Sequence, residues 1–278
     1  MTQFDKNQFL ARLPLLQFLK NQQVCWSDLE LGIREFTLQS GDKHGRLSSP
    51  LHNWWHTCFD LLASRQLHIH HINYQASELG QDEFVEVLNL GPAILDISGY
   101  RINAGDKGQD MVFPSGTTIL PNQVIRVYTR DLGEHSFHAK QSIWNNRGDT
   151  GYLFDPLGHL TSAWAYGSDV HSEINISRIH FDGAELHSEG DEYIELSNMG
   201  ACWLDISKWR ILSQGEQEFT FPVGAHIQPY GNIRVHTNEI HLDTGGYSFQ
   251  SKKAIWNNNG DTGKLLDETG KLIAEMSY

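Results

Sequence analysis

Histidines crowd the first part of the chain, and three residues there have a spacing that suits a metal ion. His52, His56 and Asp60 are four residues apart, so on a helix they would share one face. Imidazole and carboxylate groups gathered in this way are typical zinc ligands. An amphipathic helix explains the same segment, because Trp54 and Cys58 recur at helical spacing on another face. A metal-dependent hydrolytic site at the three residues is therefore the alternative interpretation.

A second motif that could do chemistry occurs twice, as Asn-Asn-x-Gly-Asp-Thr. Asn and Gly tolerate positive φ, and Asp and Thr side chains bond nearby backbone N–H groups, so the motif predicts a tight structural turn. The alternative is a calcium loop, because Ca²⁺ prefers carboxylate and amide oxygens. The predicted turn residues are Asn145, Asn146, Gly148 and Asp149 in the first occurrence and Asn257, Asn258, Gly260 and Asp261 in the second.

The chain carries none of the common catalytic motifs. Gly-x-Ser-x-Gly, His-Glu-x-x-His, a P-loop and a dinucleotide-binding fingerprint are all absent from the sequence. Asp149 and Asp261 have no evident acid–base partner. We therefore expect a protein that is not an enzyme and that needs no cofactor.

The charge balance bears on the class of partner. The chain has 278 residues and a net charge of −13, and residues 67–278 hold 14 basic and 28 acidic side chains. Such a surface repels a phosphate backbone, on whose charge the affinity for nucleic acids chiefly depends. Nucleic acid is thus a disfavoured partner. Another protein, or a second copy of this chain, is the expected one.

Cysteine usage and hydropathy bear on the compartment. Cys25, Cys58 and Cys202 are odd in number and widely spaced, which argues against a disulfide framework and a structural zinc site. No apolar run approaches the roughly 20 residues that cross a bilayer, and the first residues lack the layout of a secretory signal. We expect a cytoplasmic protein, with leaderless export left open.

The elements that must position these residues are arranged as a tandem duplication. Residues 82–100 and 191–209 are identical at nine of 19 positions, and residues 143–153 match 255–265 in the same order. Each copy is roughly 100 residues, which is long enough for a hydrophobic core of its own. A short polar segment joins the copies, and we expect it to restrict their relative orientation.

Local patterns assign a structural class to each part. Short alternating apolar and polar runs, broken by turn residues, predict β-sandwiches or barrels at 67–168 and 172–278. Residues 1–66 differ, because a capping box and apolar residues at helical spacing predict a small helical N-terminal region. His68 and His70 would share one face of a strand.

The duplicated blocks resemble the lamin tail domain of the bacterial type, an immunoglobulin-like β-sandwich. The matching features, in order, are an Ile-x-x-Ile strand, a Glu-aromatic-Val/Ile-Glu strand, Asn-x-Gly, Leu-Asp-Ile-Ser, and Ile-Trp-Asn-Asn-x-Gly-Asp-Thr. The resemblance implies two tandem immunoglobulin-like sandwiches, so together with the helical pattern of residues 1–66, which show no such resemblance, we expect a mainly β fold preceded by a small helical region. It also implies contacts with proteins, nucleic acids or membranes, or a role beside secreted hydrolases. No hydrolase domain accompanies the repeats here.

Four tryptophans are the candidate binding residues. Two of them stand where the other repeat has Met276 or Ile94, and core positions of duplicated folds tend to keep their size. Large aromatic side chains are enriched at the centres of interfaces, although different packing in the two copies explains the changes equally well. The four are Trp54, Trp55, Trp164 and Trp203.

These observations predict a non-catalytic protein–protein interaction or assembly scaffold built on two lamin-tail-like domains, with residues 1–66 as the assembly-forming part. Two alternatives stay open. The first is a metal-dependent hydrolase or enzyme accessory that uses His52, His56 and Asp60. The second is a nucleic-acid or envelope targeting module.

Overall fold

The computed structural model describes residues 66–75, 82–184 and 189–278, and this part of the chain is built from short strands. The helical region predicted for residues 1–66 lies outside these ranges except for Gln66, as do Trp54, Trp55, His52, His56 and Asp60. The first-half strands are β1 (Leu67–Asn73), β2 (Phe84–Asn89), β3 (Leu95–Asp96), β4 (Arg101–Asn103), β5 (Asp110–Val112), β6 (Thr118–Ile119), β7 (Val124–Tyr128), β8 (His135–Ser136), β9 (Gly148–Phe154) and β10 (Leu160–Gly167). The second-half strands are β11 (Ile174–His180), β12 (Tyr193–Asn198), β13 (Trp203–Asp205), β14 (Arg210–Leu212), β15 (Glu218–Thr220), β16 (His226–Ile227), β17 (Asn232–His236), β18 (Tyr247–Ser248), β19 (Thr262–Leu266) and β20 (Leu272–Ser277).

The two halves repeat one topology. In the first half, a sheet ordered β1-β2-β7-β8 faces a second sheet that contains β10-β9-β4-β5. In the second half, β11-β12-β17-β18 faces β15-β14-β19-β20. The short pairs β3–β6 and β13–β16 correspond as well. The mainly β, two-sandwich architecture predicted from the sequence is confirmed.

Alternation along each strand explains which side chains form the cores. In β2, the side chains of Val85, Val87 and Asn89 are buried and their neighbours are only partly covered, as expected for a strand with one face on a core. Each half has its own apolar cluster, which includes Trp144 in the first half and Trp256 in the second. The two tryptophans are therefore packing residues, as their positions beside the repeated turn suggest.

Within the described ranges, no helix is long and apolar enough to cross a bilayer.

Candidate functional site

The two halves are joined by a continuous sheet. Strand β10, the last of the first half, pairs with β9 on one side and with β13 of the second half on the other. The β10–β13 pairing is parallel and aligns Trp164 with Trp203 and Ala165 with Leu204. The result is a six-stranded sheet, ordered β16-β13-β10-β9-β4-β5, that crosses from one domain into the other.

Two of the candidate binding residues meet at this junction. The rings of Trp164 and Trp203 stack, with centroids 6.5 Å apart and planes inclined by 16°. Trp164 is 1% exposed, while Trp203 is half-buried. Trp164 and Trp203, at which the sequences of the two repeats differ, therefore each contact the other domain of the same chain.

Three histidines complete an aromatic cluster around the tryptophan pair. The His226 ring lies 5.4 Å from both indole rings, centroid to centroid, and His68 lies 5.5 Å from Trp203. His70 contacts His226 at 6.4 Å. Burial lowers the pKa of His70, and His226 adds to that effect, while Glu86 opposes it. His68 and His70 belong to β1, so the cluster fixes the first sheet of one domain against the second domain.

Sequence reasoning missed His226, although a usable signal was present. His226 stands where the first repeat has Thr118, which is the same kind of mismatch that identified Trp203. The pairings Asp205–His226 and Asp96–Thr118 confirm this correspondence. A comparison of every unmatched position between the repeats would have found the histidine.

The segment between the domains is anchored on both sides. It begins at Gly167, in a backbone conformation with φ of 59°, and continues as a 3₁₀ turn, Ser168–Val170. Toward the first domain, the Ser168 N–H donates to the carbonyl of Arg147 at 2.8 Å. Toward the second, the His171 Nε2 lies 3.1 Å from the Asp267 Oδ2. Val170 between them is fully buried, so the joint is part of the folded structure.

The repeated Asn-Asn-x-Gly-Asp-Thr segments have equivalent geometry. In the first, the Asp149 carboxylate accepts hydrogen bonds from the N–H of Asn145 at 3.2 Å and the N–H of Thr150 at 2.8 Å. In the second, Asp261 accepts from Asn257 at 3.2 Å and from Thr262 at 2.6 Å. Both carboxylates therefore hold their own turn, which is the arrangement expected of a structural motif.

An acidic cleft opens beside the first of these turns. It has a volume of about 450 Å³ and is lined by three carboxylates, those of Asp106, Asp149 and Asp169. Burial raises the pKa of Asp149, and the charges of Asp169 and Asp106 add to the effect. Asp169 also accepts a hydrogen bond from the Thr150 hydroxyl at 3.0 Å. Two of the carboxylates are thus engaged in local hydrogen bonds.

The acidic strand residues are paired across the sheet. Glu86 accepts from Arg126 at 2.6 Å, and Glu195 accepts from Arg234 at 2.7 Å. These are equivalent pairs on neighbouring strands, where opposite charges stabilise the sheet. The charge of these two carboxylates is locally balanced, so they do not add to a free acidic patch.

Comparison with known families agrees with this architecture. The Lamin Tail Domain family model matches the chain twice, at residues 62–168 and 167–278. A comparison with curated proteins finds no match. The lamin tail domain is an immunoglobulin-like fold found in interaction and structural modules rather than one that defines an enzyme class. The two matches span most of the chain and coincide with the two sandwiches, and the chain therefore belongs to the lamin tail domain family, of which it carries two domains in tandem.

Proposed function

We propose that this protein is a non-catalytic interaction or assembly scaffold in which two lamin tail domains act as one rigid unit. The observation that carries the proposal is the shared sheet, in which β10 and β13 pair across the domain boundary. Backbone pairing and a buried tryptophan stack hold two bodies in one orientation far better than a flexible linker does. A fixed orientation lets both domains present binding surfaces at a constant spacing.

The free edge of the second domain suggests how such a unit assembles. β20 is the counterpart of β10, and within the described residues its outer edge has no strand partner. At the other end, β3 is the counterpart of β13, and among the strands that the structure describes it pairs only with β6. Unpaired edges accept strands from other chains by backbone hydrogen bonding. The contact that joins the two domains could thus be repeated between copies, with β20 of one copy against β3 of the next.

Apolar side chains mark both of these edges. Ile94, the counterpart of Trp203, is 61% exposed, and Met276, the counterpart of Trp164, is half-buried beside exposed Leu272. In the contact between domains the same positions hold two stacked tryptophans, of which Trp164 is buried and Trp203 half-buried. A copy-to-copy contact would bury smaller side chains, so we expect it to be weaker than the internal one.

Residues 1–66 offer a second route to assembly, and the two routes are separable. The experiment is sedimentation equilibrium on the full chain, on Met276→Asp, on Ile94→Asp and on a chain that lacks residues 1–61. Burying a charged side chain in the contact between copies is costly, because the charge loses its hydration. Both aspartate variants should therefore be more monomeric than the wild type. Leu157→Asp is the matched control, because Leu157 is exposed on the turn between β9 and β10 and belongs to neither edge strand.

The outcomes distinguish the routes. Loss of assembly in the edge variants, but not in Leu157→Asp, supports the strand contact. Loss only in the truncated chain assigns assembly to the N-terminal region. Two results together contradict the rigid scaffold. The first is a wild-type chain that is monomeric at every concentration. The second is a domain spacing, measured by small-angle scattering, that Trp203→Ala leaves unchanged.

A further inference from the structure

The loop after β17 sets the second domain apart from the first. β17 and β18 are connected by residues 237–246, ten residues, whereas β7 and β8 are connected by residues 129–134, six residues. The longer loop contains Glu239 and His241. The strand before it ends at His236, where the first domain has Tyr128. The second domain has therefore gained two histidines in one place, and Glu239 there stands where the first domain has Asp131.

These three side chains converge. One ligand atom from each of His236, Glu239 and His241 lies within 4.8 Å of the other two. The rings of His236 and His241 are 4.4 Å apart, centroid to centroid, and the His241 Nε2 bonds the Glu239 carboxylate. A zinc ion lies about 2.0–2.2 Å from nitrogen and oxygen ligands, so the three donors need small side-chain movements to share one ion.

His236 is a buried polar group that makes little use of its hydrogen-bonding capacity. Its side chain is 4% exposed, and neither ring nitrogen makes a well-formed hydrogen bond within the described residues. The backbone of Asp191 approaches the ring without the geometry of a hydrogen bond. Buried polar groups are nearly always satisfied, and one that is not calls for an explanation such as a ligand.

At the end of the equivalent strand the first domain has a tyrosine ring instead of an imidazole. There the Tyr128 ring lies over Gly133, at which an added Cβ would come within 2.6 Å of a ring carbon. An aromatic ring against a glycine fills space by apolar contact. In the second domain the ring at the end of the strand is an imidazole, and it faces a second imidazole and a carboxylate.

The backbone of the longer loop is held in place at both ends of the cluster. The N–H groups of Asn238 and Glu239 donate to the carbonyl of Gly190, at 2.9 and 3.1 Å. The His241 carbonyl accepts from the N–H groups of Thr244 and Gly246, at 3.1 and 2.8 Å. A ligand site on an ordered backbone loses less conformational entropy on binding.

We propose that His236, Glu239 and His241 bind a divalent transition-metal ion of the zinc class. Two imidazoles and one carboxylate are a ligand set that zinc uses, with a fourth position left for water or another group. Mg²⁺ and Ca²⁺ need more oxygen ligands than the cluster offers. The ion would tie the loop to the end of β17 and so stabilise the second sandwich.

The test is a zinc titration of the full chain by calorimetry, together with thermal unfolding with and without zinc. Zinc should bind the wild type and raise its melting temperature, since an ion that binds only the folded state stabilises it. His241→Ala should abolish that rise and either remove one bound ion per chain or weaken binding by at least ~10-fold. Glu239→Gln should weaken binding in the same direction. Both residues are partly exposed, so both variants should fold.

Two control variants separate this site from other histidines. His138→Ala removes an exposed histidine that bonds Asp131 in the shorter loop of the first domain, and it should leave zinc binding unchanged. The double variant His52→Ala, His56→Ala removes the N-terminal candidate and should also leave the site occupied. The proposal is overturned if the wild type binds no zinc, if His241→Ala binds zinc as the wild type does, or if Mg²⁺ stabilises the protein equally.

Discussion

The hydroxyl groups of Tyr166 and Tyr278 make the same hydrogen bond in the two domains. Tyr166 donates to the carbonyl oxygen of Asn145 at 2.9 Å, and Tyr278 donates to that of Asn257 at 3.1 Å. Each acceptor is the first residue of an Asn-Asn-x-Gly-Asp-Thr turn. In each domain, the tyrosine at the end of the last strand therefore anchors the Asn-Asn-x-Gly-Asp-Thr turn, which leads into β9 in the first domain and into β19 in the second.

Removing the first of these hydroxyls should cost more than removing the second. Tyr166 is 2% exposed and Tyr278 is 37% exposed, so water can replace the lost bond only at Tyr278. We expect Tyr166→Phe to lower the free energy of unfolding by about 1 kcal/mol and Tyr278→Phe by less. Chemical denaturation of the two variants checks the order. A larger loss in Tyr278→Phe would contradict the explanation by burial.

The turn carboxylates should contribute to stability in both domains. Asp149→Ala and Asp261→Ala each remove hydrogen bonds to backbone N–H groups, and we expect a loss of roughly 1–2 kcal/mol in each variant. Asp261 should be the more costly, because it also accepts from the N–H of Gln214 at 3.0 Å. Thermal unfolding measures both.

A calcium titration tests the other interpretation of the same turns. If they are structural, Ca²⁺ should leave the melting temperature of the wild type and of Asp149→Ala equally unaffected. A rise of several degrees in the wild type alone would favour a cation loop at the acidic cleft.

Stability should depend on pH through Glu192. Burial raises the pKa of this carboxyl from its ordinary 4.5 to about 7, against the hydrogen bonds it accepts from Ile255 and Thr237. Between these values the folded chain keeps the proton and the unfolded chain releases it. The resulting stabilisation is complete below pH 4.5 and is lost as the pH rises through about 7.

The variant Glu192→Gln isolates this contribution, since its amide cannot ionise. We expect the melting temperature of the wild type, relative to the variant, to fall as the pH increases across this window. Parallel pH profiles for the two proteins would show that Glu192 does not titrate as proposed.

The joint between the domains should be sensitive to a single methyl group. Gly167 has φ of 59°, and an added Cβ would lie 2.4 Å from the carbonyl oxygen of Arg147. Gly158 also has positive φ, at 87°, but a Cβ there meets nothing within 4 Å. We expect Gly167→Ala to lower the melting temperature clearly more than Gly158→Ala, because only the former adds a backbone clash to the φ strain. Equal losses of melting temperature would show that the strain of positive φ, and not the clash with Arg147, causes the destabilisation.

The acidic sandwiches should bind duplex DNA only weakly. Residues 67–278 carry a net charge of −14, from 14 basic and 28 acidic side chains. Gel shifts at physiological salt should show no sub-micromolar complex. A tight, salt-sensitive complex would instead support the nucleic-acid targeting alternative and implicate residues 1–66.

The sequence alone determined the duplication, the fold family and the turns, because each of these is encoded locally. Alternating strand residues, the turn motif around Asp149 and Asp261, and the order of the repeated blocks all lie within short stretches of chain. Such patterns follow from backbone geometry and burial, which act over a few residues. The repeat then supplied a second, independent copy of each pattern.

Only the tertiary structure shows how the two copies are joined and which side chains form the proposed metal site. Trp164 and Trp203 stood out as unmatched, but their stacking depends on a parallel pairing between strands from different domains. His236 and His241 belong to no recognisable spacing motif, and a four-residue longer loop folds back to bring them together. Contacts between distant segments depend on how whole sheets pack, and no local period in the sequence records that packing.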